Sequence, residues 1–199
     1  TSFTATIEKY FPNDRPTLYA ATAYWYQMPG GRDPYTPYPV SERLGYFDLK
    51  MPEPFIARGA IEGEDMKVLS CTGGNANRQD LSSFDGEWSK DAHVWWTEGK
   101  PGDKLTLALP VARAGRYTVK AQFTKAIDYG IVQLWLDGKK VGEPMDLFHT
   151  AVVPSGEVTL GTFDLTAGEH QLAVEIVGTN EKAVVKYMFG LDYVRLAAP

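Results

Sequence analysis

The chain has 199 residues, 44% of them hydrophobic, 23% charged and 13% aromatic, which is enough apolar material for the core of one or two globular domains. Its formal charge of −5 argues against nucleic acid or an anionic membrane as partner, because phosphates and acidic headgroups repel such a surface. No apolar run approaches the roughly 20 residues of a membrane helix. Thr1-Ser2-Phe3-Thr4 has neither the basic nor the apolar region of a secretory leader, so any signal peptide is expected to be gone.

With 19 glycines and 13 prolines, short strands and many turns are favoured over long helices. An all-β protein is the expectation. Thr4 to Phe11 has strand composition, and Pro12-Asn13-Asp14-Arg15-Pro16 is a turn cluster. Leu18 to Gln27 reads as a second strand, with Thr22, Tyr24 and Tyr26 on one face and Ala21, Ala23 and Trp25 on the other. From Pro29 to Pro39 the prolines forbid helix and sheet interior, which leaves an extended connector with aromatic anchors. Pro52 and Pro54 follow, and the boundary is placed near residue 58, giving segments 1–57 and 58–199.

Beyond Ile61 the alternation becomes regular. Leu105, Leu107 and Leu109 alternate with Thr106 and Ala108, and Tyr117, Val119, Ala121 and Phe123 alternate with Thr118, Lys120 and Gln122. Asp137-Gly138 is a strong hairpin signal, and Thr166-Ala167-Gly168-Glu169 marks another turn. Turn signals recurring about every 8–12 residues predict an antiparallel β-sandwich. The single cysteine, Cys71, leaves no internal disulfide and reads as a half-buried thiol at a strand end.

An ordered set of short motifs then sharpens the reading. Ile61-Glu62-Gly63-Glu64-Asp65, Ala114-Gly115-Arg116-Tyr117-Thr118-Val119, Leu136-Asp137-Gly138, Thr166-Ala167-Gly168-Glu169-His170 and Leu191-Asp192-Tyr193-Val194 together resemble carbohydrate-binding modules of families 6 and 35 and their galactose-binding-like relatives. The resemblance implies a jelly-roll β-sandwich that binds a polysaccharide or oligosaccharide and is secreted or periplasmic in a bacterium. Ala20 to Gln27 resembles the closing strand of glycoside hydrolase family 172, which acts on fructofuranosides and arabinofuranosides and assembles into trimers or hexamers. That second resemblance makes residues 1–57 the last strands of a preceding jelly roll, with an upstream catalytic jelly roll or another copy of the chain as partner. The family's Gly-Thr-Glu-Asp-Tyr type run is missing, so no catalytic residue is assigned.

Candidate site residues fall into two groups. Glu62 and Glu64, two apart, would share one face of a strand, and such a pair of like charges calls for a cation or water. In the resembling modules, glutamates of the first strand and an aspartate of the last hold a structural Ca²⁺. Carried over, the ligands are Glu62, Glu64 and Asp192, with Asp164 in reserve; a solvent-facing acidic edge is the alternative. Sugar binding needs flat aromatic faces and polar groups that read hydroxyls, which nominates Trp95, Trp96, Asp128 and Tyr129. Adjacent strand residues point to opposite faces, so one of the two tryptophans can instead pack inside. Trp135 should lie on an outer face, against residues 1–57.

The function expected is non-catalytic carbohydrate binding that targets an attached or associated glycoside hydrolase to its substrate. Two alternatives stand beside it. One is a part of an active furanosidase that contributes subsite residues, and the other is a structural or oligomerisation sandwich without ligand.

Overall fold

The structure is a computed structural model, and it describes residues 29–31 and 53–198. The chain divides into a unit from Thr1 to Glu53 and one from Pro54 to Pro199, and the account below concerns the second. The expected strands of residues 1–28 lie outside the described residues.

Eleven strands build the second unit: β1 (Ala60–Glu62), β2 (Val68–Cys71), β3 (Asn75–Asp80), β4 (Ala92–Thr97), β5 (Lys104–Val111), β6 (Gly115–Lys125), β7 (Gly130–Leu136), β8 (Lys139–Asp146), β9 (Val153–Leu165), β10 (Gly168–Thr179) and β11 (Phe189–Ala197). They form two antiparallel sheets, the sandwich that the alternation predicts and the jelly roll that the resemblance implies. One sheet runs β3-β4-β11-β6-β9, with β1 added to β11, and the other runs β2-β5-β10-β7-β8.

The turns form where the sequence supplies the right residues. Asp137 and Gly138 both have positive φ, 49° and 75°, which matches a tight turn whose twist suits a hairpin, and β7 pairs with β8 across it. The core is the product of strand parity. Leu105, Leu107 and Leu109 of β5, Val132, Leu134 and Leu136 of β7, and Leu172, Val174 and Ile176 of β10 face Val119, Ala121 and Phe123 of β6 and Phe189 and Leu191 of β11, all buried. Each such side chain removed from water contributes about 1.5–3 kcal/mol. Phe123 and Phe189 meet with ring centroids 5.9 Å apart. Cys71 closes β2 as a partly buried free thiol.

Candidate functional site

Of the two candidate groups, the carboxylates come together first. β1 lies antiparallel on β11 and pairs Glu62 with Tyr193, which brings Glu62 beside Asp192. Glu64 reaches the same place by a different route from the one expected. The strand ends at Glu62, and Gly63–Asp65 is a short helical turn, so Glu62 and Glu64 are not alternate residues of one strand. The reason is the close approach of Gly63 to β11, where any Cβ would overlap the Leu191 carbonyl oxygen.

Asp192 is wholly buried and its oxygens are not idle. Ser89 N–H donates to both, at 3.1 and 3.3 Å, and Gln122 Nε2 donates to Oδ2 at 2.8 Å. Burial nevertheless pushes the carboxyl up to about 7; the bonds from Gln122 and Ser89 pull it back, and the charges of Glu62 and Glu64 push it further up. Glu64 is raised for the same leading reason, burial, with Glu62 adding to it. Ser89 Oγ donates to Glu62 Oε1 at 2.9 Å. Glu62 Oε2 and Glu64 Oε2 are buried and have no hydrogen-bond partner.

The donor chemistry fits a hard divalent cation: oxygen atoms only, two of them buried and unsatisfied beside a third, wholly buried carboxylate. Among the described residues, however, no three His, Cys, Asp or Glu side chains close into a ligand shell. The three are a cluster by charge, with Ser89 and Gln122 turned into it. Asp164 is not among them; it pairs with Arg116 along β6 and β9.

The second group is split by the fold. Trp95 and Trp96 are neighbours on β4, and parity sends them to opposite faces. Trp96 is fully buried in the core and its Nε1 donates to the Gly73 carbonyl at 2.8 Å, so no ligand reaches its ring. Trp95 points the other way and is half-buried, partly packed against the core cluster, opposite Gly190 of β11 and Asn77 of β3. Tyr129 is also buried, at 4% exposure, with burial raising its hydroxyl pKa above the usual range. It packs into the core cluster rather than offering a stacking face. Asp128 stays half-exposed and pairs with Lys186 at 3.6 Å.

These residues nonetheless belong to one end of the sandwich. The loop from Ala126 to Tyr129 joins the loop around Phe148 through a bridge at Ala126, and the segment before β11 through a bridge from Tyr129 to Met188. Val184 N–H bonds the Ile127 carbonyl, and Met188 N–H bonds that of Asp128. Asn180 Nδ2 donates to Asp146 Oδ2 at 2.6 Å. Two residues after Met188 the chain reaches Gly190, the cross-strand neighbour of Trp95.

Trp135 lies half-buried on β7, its Nε1 donating to Glu175 at 3.0 Å and Lys104 Nζ 4.5 Å from its ring centroid. The partner expected for it, residues 1–57, lies mostly outside the described residues.

The residues that sequence reasoning missed are Ser89, Lys90 and Gln122. Gln122 carried a signal, since it is the polar member between inward-facing Ala121 and Phe123 on β6. Ser89 and Lys90 sat inside a long polar loop with nothing to mark them.

No family model matches the chain, and no curated protein does. Solved structures do. A Paenibacillus xanthan lyase is similar over 76% of this chain, at 24% identity and a TM-score of 0.62, though the match spans only 14% of that much longer chain. A family 35 carbohydrate-binding module from Clostridium thermocellum is matched over 71% of this chain and 100% of its own, at 20% identity and a TM-score of 0.44. A family 36 module in complex with calcium and xylotriose is matched over 69% and 98%, at 14% identity and 0.42. The likeness to the xanthan lyase establishes the fold. The resemblance to glycoside hydrolase family 172 rests on residues outside the described ones.

Proposed function

We propose that residues 58–199 are a non-catalytic carbohydrate-binding module that holds an attached or associated glycoside hydrolase near its polysaccharide. Weak binding to a glycan raises the local concentration of substrate around a tethered enzyme, which requires no chemistry from the module itself. The observation that carries the reading is Trp95, a half-buried indole on the face of β4 opposite Trp96, next to the loop end that bears Asp128. A ring there supplies the apolar platform for a sugar face, and Asp128 with Lys186 supplies hydroxyl partners. The sandwich shared with a polysaccharide lyase agrees with this role.

Three acidic side chains of this sheet and its loops are engaged in structure. Asp128 pairs with Lys186, Glu157 with Lys120 and Arg195, and Asp192 lies buried among donors. Residues 1–57 are read as the closing strands of the hydrolase-type jelly roll that supplies catalysis, or as its contact with another copy of the chain. Calcium is the structural ion of this reading. Glu62, Glu64 and Asp192 would hold it, and it would offset most of the charge of three crowded carboxylates and tie the turn after β1 to β11.

Affinity electrophoresis of the whole chain through gels containing xylan, mannan, galactan or xanthan tests the proposal. Retardation by one of them, lost in Trp95→Ala, is expected. Migration unchanged in every gel would overturn it, and turnover of aryl furanosides by this chain would move catalysis into it. One further observation favours the structural alternative: Ile127, Val184 and Val185 stand 45%, 47% and 60% exposed at the same loop end. A stable oligomer in light scattering, dispersed by Val185→Glu, is the outcome that would support that reading.

A further inference from the structure

The surroundings of Trp95 are set by cross-strand register. β3 pairs antiparallel with β4 and places Asn75 opposite Thr97, Asn77 opposite Trp95 and Gln79 opposite His93. Directly paired residues share a face of the sheet, with Cβ atoms about 4.5–5.5 Å apart. Trp95 therefore stands beside the amide of Asn77, with Asn75 and Gln79 two residues away along β3 on either side. On its other flank is Gly190 of β11, which adds no side chain.

The three amides are not equivalent. Asn75 Nδ2 is already committed, donating to Glu98 at 2.8 Å. Asn77 is exposed, and its side chain has no hydrogen-bond partner among the described residues. Gln79 is oriented by a buried relay. Its Oε1 lies 2.7 Å from Nε2 of the fully buried His93, and His93 Nδ1 lies 2.7 Å from Thr124 Oγ1, which accepts Trp88 Nε1–H at 3.0 Å. A carbonyl oxygen cannot donate, so Nε2 carries the imidazole proton and the Thr124 hydroxyl donates to the bare Nδ1. The relay thus holds the Gln79 carbonyl towards His93 and leaves its NH2 group free to donate.

This face also lacks charge. Asn75, Asn77, Gln79, Trp95 and Thr97 are uncharged and burial keeps His93 neutral, in a chain of which 23% is charged. Arg78 belongs to the other face of β3, opposite Val94. At the adjoining loop end Asp128 and Lys186 offset each other at 3.6 Å. A uronate polymer is recognised through Arg or Lys on its carboxylates, and this face offers neither. A neutral sugar instead presents apolar C–H faces to an indole and hydroxyls at its rim to uncharged amides.

We propose that the ligand of this face is a neutral polysaccharide, stacked on Trp95 and read by the amides of Asn77 and Gln79. The proposal rests on the carbohydrate-binding reading above and narrows it to one class of ligand. Asn77 can both donate to and accept from a sugar hydroxyl, whereas Gln79 donates to a hydroxyl oxygen.

Affinity gels of the whole chain containing neutral xylan, mannan or galactan, set against acidic xanthan or polygalacturonate, test the class. Retardation is expected in a neutral gel and in neither acidic one. Calorimetric titration of that neutral polysaccharide should give affinities within about twofold between about 0.05 and 0.5 M sodium chloride, since salt screens only charges. Asn77→Ala, at an exposed position, should melt as the parent does and bind about three- to tenfold more weakly, the share of one neutral hydrogen bond. Gln79→Glu keeps an acceptor for His93 but loses its N–H donors, and should weaken binding by a similar factor. Arg78→Gln should bind as the parent. Retardation by the acidic polysaccharides, or an affinity that falls about tenfold with salt and drops in Arg78→Gln, would overturn the neutral ligand while leaving carbohydrate binding in place. Binding lost in Trp95→Ala but unchanged in both Asn77→Ala and Gln79→Glu would remove the amides from the site and overturn the proposal. Migration unchanged in every gel would overturn the carbohydrate reading itself, and the proposal with it.

Discussion

Two adjacent tryptophans give the sharpest separation of structure from function in this molecule. Trp96→Ala removes an indole with no exposure, packed in the core across from Phe189, and deletes its hydrogen bond to the Gly73 carbonyl. Truncating a buried aromatic costs about 3–5 kcal/mol, because the cavity collapses only in part. The lost hydrogen bond adds little, since Cys71 Sγ also approaches the Gly73 carbonyl, at 3.1 Å. For a domain of this size the melting temperature should fall by roughly 10–15 °C. Trp95→Ala removes a ring that already meets water on one side. Its cost is expected to stay below about 2 kcal/mol.

Urea unfolding followed by far-ultraviolet circular dichroism, with the slope compared between variants, measures both changes. The same two proteins run through polysaccharide gels should reverse the ranking. Trp95→Ala loses retention at nearly full stability, and folded Trp96→Ala at low temperature keeps it. A Trp96→Ala loss below about 1 kcal/mol, or a larger loss in Trp95→Ala, would refute the assignment of faces on β4 and the binding site built on it.

Burial raises the Asp192 carboxyl from 3.8 to about 7, so in chelator the folded state holds this proton more tightly than the unfolded state, and stability should fall as pH rises from about 4 to 7. The difference of about 3 units sets an upper limit of about 4 kcal/mol; Asp192→Asn should flatten that slope in urea titrations, and a parent-like slope in the variant would exclude Asp192 as its source. Gly63→Ala forces a Cβ onto the Leu191 carbonyl and should cost at least about 1–3 kcal/mol by overpacking, whereas an equally stable variant in thermal melts would show that β1 can move away. His170 Nδ1 meets Asp137 Oδ2 at 2.6 Å, which raises the imidazole, so its stabilisation is fully present below pH 6.5 and lost as pH climbs through the folded value. The gap in melting temperature between the parent and His170→Gln should therefore close on the alkaline side, and a gap that widens there would refute the pairing.

The fold was legible because parity is a strong signal. Leu105, Leu107 and Leu109 could face only one way, and Asp137-Gly138 left few choices for its turn. The site was less legible, for reasons visible in single residues. Parity showed that Trp95 and Trp96 must part, but not which one points inwards. That choice depends on the register of β4 against β11, where Trp96 meets Phe189 and Trp95 meets Gly190, a long-range pairing. Tyr129 sat in a loop motif and was read as a surface aromatic, yet the bridge to Met188 draws it under the chain. The separation of Glu62 and Glu64 suggested one strand face, while Gly63 permits a turn that brings them together differently.

The acid cluster and the sugar-binding candidate are joined by one strand. Asp192 lies at a register shift in β11, between Leu191 opposite Phe123 and Tyr193 opposite Gln122, and such bulges re-aim side chains beside sites. Gly190 lies two residues before it, about 6.6 Å along a strand, and opposite Trp95. His93 fills the space where a Cβ on Gly190 would stand, and burial holds that imidazole neutral, down to about 3, between Thr124 and Gln79. The start of β11 is thus pinned on its outer face by a buried polar network, and Met188 just before it accepts Gly130 N–H from the opposite loop. The Ser89 and Gln122 donors that hold the Asp192 carboxyl therefore act on the same strand that pairs with Trp95. Removing the Asp192 carboxyl would therefore leave Ser89 N–H and Gln122 Nε2 without their acceptor on the strand that faces Trp95, so Asp192→Asn tests that strand as well as the cluster.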